Sequence, residues 1–115
     1  MRKQYRIKKN EEFQHIFKKG TSFANRQLVI YYTHTPNQEH FRIGLSVGKK
    51  IGNAVTRNRI KRYLRESFLD LEDYILPTLN IIIIARNPTK DMGFHEIRKS
   101  LIHLLRRQKL FVQRH

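Results

Sequence analysis

Between Asn53 and Leu71 the apolar positions recur at helical spacing: Ile60, Tyr63, Leu64, Ser67, Phe68 and Leu71 fall on one side of a 3.6-residue helix. The pattern predicts a helix from about Asn53 that fades near Tyr74, ahead of Pro77. A second helical stripe, Ile97, Leu101, Leu104 and Leu105, predicts a helix over roughly Phe94 to Gln108. A shorter one, Phe13, Ile16 and Phe17, follows Asn10-Glu11-Glu12, which reads as a cap and two acids at the positive end of the dipole. That helix should stop at Gly20 as its C′ residue, after Lys19. Strand periodicity appears elsewhere. Leu28 to Thr33 is β-branched and aromatic, Pro36-Asn37 marks a turn, and Phe41 to Val47 alternates strictly. In the latter, Phe41, Ile43, Leu45 and Val47 face one way, and Arg42, Gly44 and Ser46 the other. Four consecutive isoleucines, Ile81 to Ile84, suggest a strand buried on both faces and parallel to a neighbour, ended by Asn87-Pro88. Phe23 to Gln27 carries a weak signal for one more short strand. The expected order is α-β-β(β)-α-β-α, an α+β two-layer sandwich in which helices pack on a mixed sheet.

Charge changes this picture most. The 115 residues hold 24 Lys or Arg against nine Asp or Glu, a net charge of +15. At 39% hydrophobic the chain supports a core and reads as one domain over residues 1–115, of which 1–9 form a basic N-terminal arm. From Lys49 to Arg65 there are seven cations and no acid. Arg57, Lys61 and Arg65 form an i, i+4, i+8 row with Arg62 beside it, and Asn58 and Arg59 share that broad face. Like charges stacked this way cost roughly a few tenths of a kcal/mol per pair, so a polyanion is the better reason for the row. A helix-turn-helix reading needs a second helix just upstream, where the chain reads as strand. A membrane-surface reading needs the apolar stripe that the core itself requires. RNA fits best, with Arg and Lys tracking phosphates and Asn58 bonding base or sugar.

Other chemistry is missing from the sequence. There is no cysteine, no nucleotide-cradling glycine loop, and no secretory signal, and the run Ile81 to Ala85 is too short to span a bilayer. The expected compartment is therefore the cytoplasm. The acids come as neighbours, Glu11/Glu12 and Glu72/Asp73, and the six histidines are scattered, so neither a metal cluster nor an acid–base pair is expected. What remains is aromatic. Phe13 and Phe17 either belong to the core or stand at the mouth of a groove offering ring faces to unpaired bases, with one of Tyr31 and Tyr32. Alternation admits only one tyrosine to that face and does not choose between them. Arg42 and Ser46 could line the same groove.

The run Lys49-Lys50-Ile51-Gly52-Asn53-Ala54-Val55, followed by Arg57-Asn58-Arg59, Lys61-Arg62 and Arg65-Glu66, resembles the RNR signature of the bacterial ribonuclease P protein subunit. Ile7 to Phe17, Ala24 to Gln27, Gly44 to Val47 and Ile82 to Arg86 are similar to that family as well. The resemblance implies an α-β-β-β-α-β-α fold with a left-handed βαβ crossover. It implies a ribonucleoprotein that removes the 5′ leader of precursor tRNA, with chemistry on an RNA subunit that holds Mg²⁺ and no catalytic or metal-binding residue in the protein. Its partners would be ribonuclease P RNA and precursor tRNA, without a membrane or a small-molecule cofactor. The RNA-subunit contacts would be Arg57, Asn58, Arg59, Lys61, Arg62 and Arg65. The leader groove would be Phe13, Phe17 and Tyr31, and Lys49, Lys50 and Asn53 would border the two. A generic RNA-binding module and a stand-alone nuclease are the competing classes. The first would show no preference for a leader, and the second would cleave without RNA.

Overall fold

The computed structural model describes residues 5–112. Its elements are α1 (Asn10–Lys19), β1 (Thr21–Ala24), β2 (Leu28–His34), β3 (Arg42–Ser46), α2 (Ala54–Asp70), β4 (Leu79–Ala85) and α3 (Phe94–Arg107). Short 3-10 turns lie at Lys49–Ile51, Glu72–Tyr74 and Asn87–Asp91. The four strands are ordered β1-β2-β4-β3. β2 is antiparallel to both β1 and β4, β3 is parallel to β4, and α2 is the crossover between that parallel pair.

The isoleucine run supplies the central strand, and Ile81, Ile82 and Ile83 are wholly buried. Ile81 and Ile83 join Leu28, Ile30 and Ile43 beneath Ile60, Leu64 and Phe68 of α2 and Ile97, Leu101, Leu104 and Leu105 of α3. This is the principal sandwich. The opposite face carries α1 through a smaller cluster of Ile7, Ile16 and Ile82, with Phe13, Tyr31 and Ile84 packed around it. At about 1.5–3 kcal/mol per buried large side chain, the first cluster carries most of the stability.

Several boundaries differ from the sequence expectation, each for a local reason. α1 is entered from Lys9, not capped by Asn10; the Lys9 carbonyl accepts from the N–H groups of Glu12 and Phe13 at 3.1 and 3.3 Å, and no side chain caps the helix. β1 begins at Thr21 and ends at Ala24, because Asn25 makes the turn. Its Oδ1 accepts from the N–H groups of Gln27 and Leu28 at 3.0 and 2.8 Å, and its Nδ2 donates to Ser100 Oγ at 2.8 Å. α2 ends at Asp70, short of Tyr74, as the chain tightens into the 3-10 turn. Of the basic arm, residues 1–4 lie outside the described residues. From Tyr5 the chain is fastened along the free edge of β3: Ile7 N–H donates to Ile43 O at 2.8 Å, and the Tyr5 hydroxyl donates to Glu72 at 2.6 Å.

Gly20 does not adopt the left-handed C′ conformation; its φ of −79° and ψ of 162° are extended. A Cβ there would lie 2.4 Å from Ile16 O and 2.8 Å from Tyr32 O, so the residue is glycine because two backbones meet. Gly20→Ala is therefore expected to cost roughly 1–3 kcal/mol or more, as an overpacked core site does. Urea denaturation measures this, and a loss below about 0.5 kcal/mol, within the range of ordinary surface changes, would show that the α1–β1 junction yields easily.

Candidate nucleic-acid interface

The registers align Ser22, Tyr31, Ile82 and Gly44 in one row across the sheet, on the face that α1 crosses. Phe13 lies over Gly44, where a Cβ would stand 2.7 Å from the ring's Cε1 and Cζ. The glycine serves ring access, not a bulge or turn. Phe17, 38% exposed, meets Tyr31 edge to face with centroids 5.0 Å apart. Tyr32 points to the other face, where it packs beside the main core and donates to Gln108 Oε1 at 2.7 Å. The structure thus brings Phe13, Phe17 and Tyr31 together and removes Tyr32. Phe13 packs on the smaller cluster and also lines a hollow.

That hollow, about 150 Å³, is bounded by Arg6, Phe13, Gly44, Lys61 and Arg65. It joins the aromatic row to the basic face of α2. Burial, and then the neighbouring Arg6 guanidinium, push the Arg65 pKa below its ordinary value. The cation survives because an arginine starts so far above neutrality. Among the described residues Arg57, Lys61 and Arg65 form no ion pair. Arg57 Nε is enclosed without a hydrogen-bond partner. Asn58 and Arg62 are exposed, and Arg62 lies 3.9 Å from Glu66, a weak i, i+4 pair. Arg59 turns the other way and donates to Lys90 O at 2.8 Å. The α2 cations therefore fan across an arc, with Arg57, Lys61 and Arg65 at i, i+4, i+8 of the continuous helix and Arg59 turned aside.

The bordering residues divide as well. Asn53 caps α2, its Oδ1 accepting from Thr56 N–H at 2.9 Å. Lys49 and Lys50 are exposed on the 3-10 turn before it. Ser46 and Lys50 line an open hollow of about 370 Å³ with Ile84, Arg86 and Asn87. Arg42 does not join Ser46 in a shared groove. Although both sit on one face of β3, α1 crosses between them, and Arg42 pairs with Glu12 on the far flank of the helix. Sequence reasoning assigned Arg6 only to the arm; its place beside Arg65 depends on the bridge between Arg6 and Ile43, which no local pattern encodes.

Fold and surface together define a strongly basic α+β domain with an aromatic row running into a carboxylate-poor helix face. The family model described as Ribonuclease P matches residues 1–109. The chain is 69% identical over 110 residues to the ribonuclease P protein component of Oceanobacillus iheyensis, covering 96% of this chain and 91% of that one. It is 59% identical to that of Listeria welshimeri, covering 99% and 96%. Among solved structures, the RNase P protein of Staphylococcus aureus superimposes with a TM-score of 0.87 at 53% identity, covering 94% of this chain and 98% of that one. That of Thermotoga maritima gives 0.81 at 30%, covering 89% and 96%. The chain belongs to the ribonuclease P protein family. It is a subunit of ribonuclease P in tRNA 5′ processing, a component of an endoribonuclease holoenzyme whose partner is the ribonuclease P RNA.

The Phe13–Gly44 contact yields a direct test. Gly44→Ala is expected to swing the Phe13 ring off the sheet, lowering stability by about 1–2 kcal/mol. Methyl NMR of Ile82 reads the change through the lost ring current. Unchanged Ile82 shifts would mean that the ring keeps its place and the strand moves instead.

Proposed function

We propose that the protein holds two RNAs at once. The cations of α2 and of the Lys49–Ile51 turn take the catalytic RNA, and the row of Phe13, Phe17 and Tyr31 takes the single-stranded 5′ leader of precursor tRNA. The observation that carries this reading is the hollow in which Phe13 faces Lys61 and Arg65. A base stacked on the aromatic row leaves its phosphate beside those cations, and the same cations offset repulsion where the two RNAs approach. Hydrolysis then belongs to the RNA subunit. Among the described residues no group of three or more His, Asp or Glu could hold a metal ion. Mg²⁺ is assigned to the RNA, and the protein contributes positioning and charge. No helix among the described residues is long and apolar enough to cross a membrane, and the cytoplasm, where tRNA precursors arise, is the compartment this reading places it in.

The decisive assay is cleavage of 5′-labelled precursor tRNA at low Mg²⁺ by the protein alone, by a bacterial ribonuclease P RNA alone, and by both. Release of an intact leader by the mixture, well above RNA alone and with nothing from the protein, is the expected result. Cleavage by RNA-free protein would instead demand a hydrolytic site in this chain.

Phe17→Ala isolates the groove. One lost stacking contact, about 1–3 kcal/mol per base, should weaken holoenzyme binding of leader-bearing tRNA roughly 5- to 150-fold and leave mature tRNA unaffected. Equal losses for both substrates would remove the leader from this surface.

A further inference from the structure

α1 separates the aromatic row from a second cavity on its other flank. This pocket is about 390 Å³ and is lined by Glu11, Glu12, His15, Thr33, Arg42 and Asn80, among others. Thr33, Asn80 and Arg42 are register partners on the face that α1 crosses, two residues along from the Tyr31–Ile82–Gly44 row. Asn80, one of the residues that line this pocket, holds a polar group without a partner. Asn80 is only 7% exposed; its Nδ2 donates to Thr35 Oγ1 at 2.7 Å, while its Oδ1 is buried with no hydrogen bond. A buried amide oxygen left this way costs about 1–3 kcal/mol, a cost that a donor-bearing ligand would recover.

Which donor fits follows from the charges. Glu11 and Glu12 on the rim repel phosphate, and Glu12 is already committed to Arg42. A metal ion is poorly served, because no three acids or histidines among the described residues come together to hold one. An uncharged, flat group with amino hydrogens suits the acceptors, and exposed His15 offers a ring at the entrance. With a net charge of +15 keeping RNA at the surface, we infer that this pocket is a second nucleobase site, taking an amino-bearing base of an RNA strand whose phosphates stay outside. It rests on the reading of the protein as RNA-binding, but not on the assignment of the leader to the aromatic row.

Cytidine and uridine test it, because cytosine offers an N4 amino donor beside an N3 acceptor, whereas uracil offers an O4 acceptor beside an N3–H and has no amino group. Each nucleoside is titrated at millimolar concentration into the ¹⁵N-labelled full chain. Cytidine is expected to give saturable shifts at His15, Thr33 and the Asn80 side-chain amide, with uridine at least about fivefold weaker, the lower end of one base-edge contact. Glu11→Gln, on the exposed rim, should weaken cytidine while leaving the spectrum folded, and Asn80→Ala should abolish the discrimination. Equal response to the two nucleosides, an equal response to putrescine, or no saturable shift would each overturn the proposal. Shifts confined to Phe17 and Tyr31 would also overturn it while leaving the aromatic row intact as a base-binding surface.

Discussion

Everything in this structure hangs on β4 being buried on both sides. Ile81 and Ile83 seat α2 and α3, while Ile82 and Ile84, pointing the opposite way, support Ile16, Phe13 and Tyr31 of the smaller cluster. Successive residues of one strand thus fasten the basic helix to one face and the aromatic row to the other. Because β3 is parallel to β4 and α2 connects them, Gly44 is placed opposite Ile82 and the chain arrives at the β3 edge near Lys61 and Arg65. Antiparallel pairing with β2 sets Tyr31 opposite the same Ile82. The juxtaposition of stacking rings and cations is a consequence of strand register and owes nothing to direct contact between the two surfaces.

The few acids reinforce that arrangement by where they sit. Glu12 is paired with Arg42, Glu72 accepts from Tyr5, Asp70 faces Arg98, and Glu96 accepts from the Gly93 N–H at the start of α3. Each holds a junction between elements, and none neutralises Arg57, Lys61 or Arg65. In such a setting the cations repel across short distances in the free protein, as Arg6 does Arg65. Salt screens part of this, since the Debye length is about 8 Å at physiological ionic strength, and bound RNA removes more. Stability and RNA binding are therefore linked through the same charges: what the free protein loses to repulsion is returned on assembly.

The sequence made the long-period features legible and left the close approaches hidden. Ile60, Leu64 and Phe68 declare the buried stripe of α2, and the isoleucine run declares a strand with two covered faces, because periodicity reports burial directly. Periodicity says that Tyr31 and Tyr32 oppose each other but not which face α1 will cover, since that depends on β1 carrying the chain back along β2. Gly20 reads as a helix C′ residue and Gly44 as one position of an alternating strand; both are set by distances to residues more than three positions away, Tyr32 and Phe13, which no local rule contains. Arg42 was grouped with Ser46 by alternation alone, and a helix laid across the face separated them. The resemblance to a family supplied the choice of Tyr31 and the assignment of the basic face to the catalytic RNA; charge and spacing alone gave a face suited to RNA.

The two elements proposed to face RNA differ in how firmly they are held, and the difference suits the proposed tasks. α2 buries Ile60, Leu64, Ser67 and Phe68 in the main core, so its cations project from a rigid support. α1 is ten residues long and buries only Ile16. A helix that short is marginal by itself and depends on tertiary packing, here one small cluster and the Glu12–Arg42 pair. Elements with few buried contacts occupy the low end of the local stability range. A rigid α2 matches a folded RNA whose phosphates have fixed positions. An adjustable α1 can change the width of the aromatic row for whichever base arrives, and stacking tolerates that, because every base presents a ring face. Under the proposed assignment, broad acceptance of leaders and firm attachment to one RNA follow from unequal anchoring of two helices to opposite sides of β4.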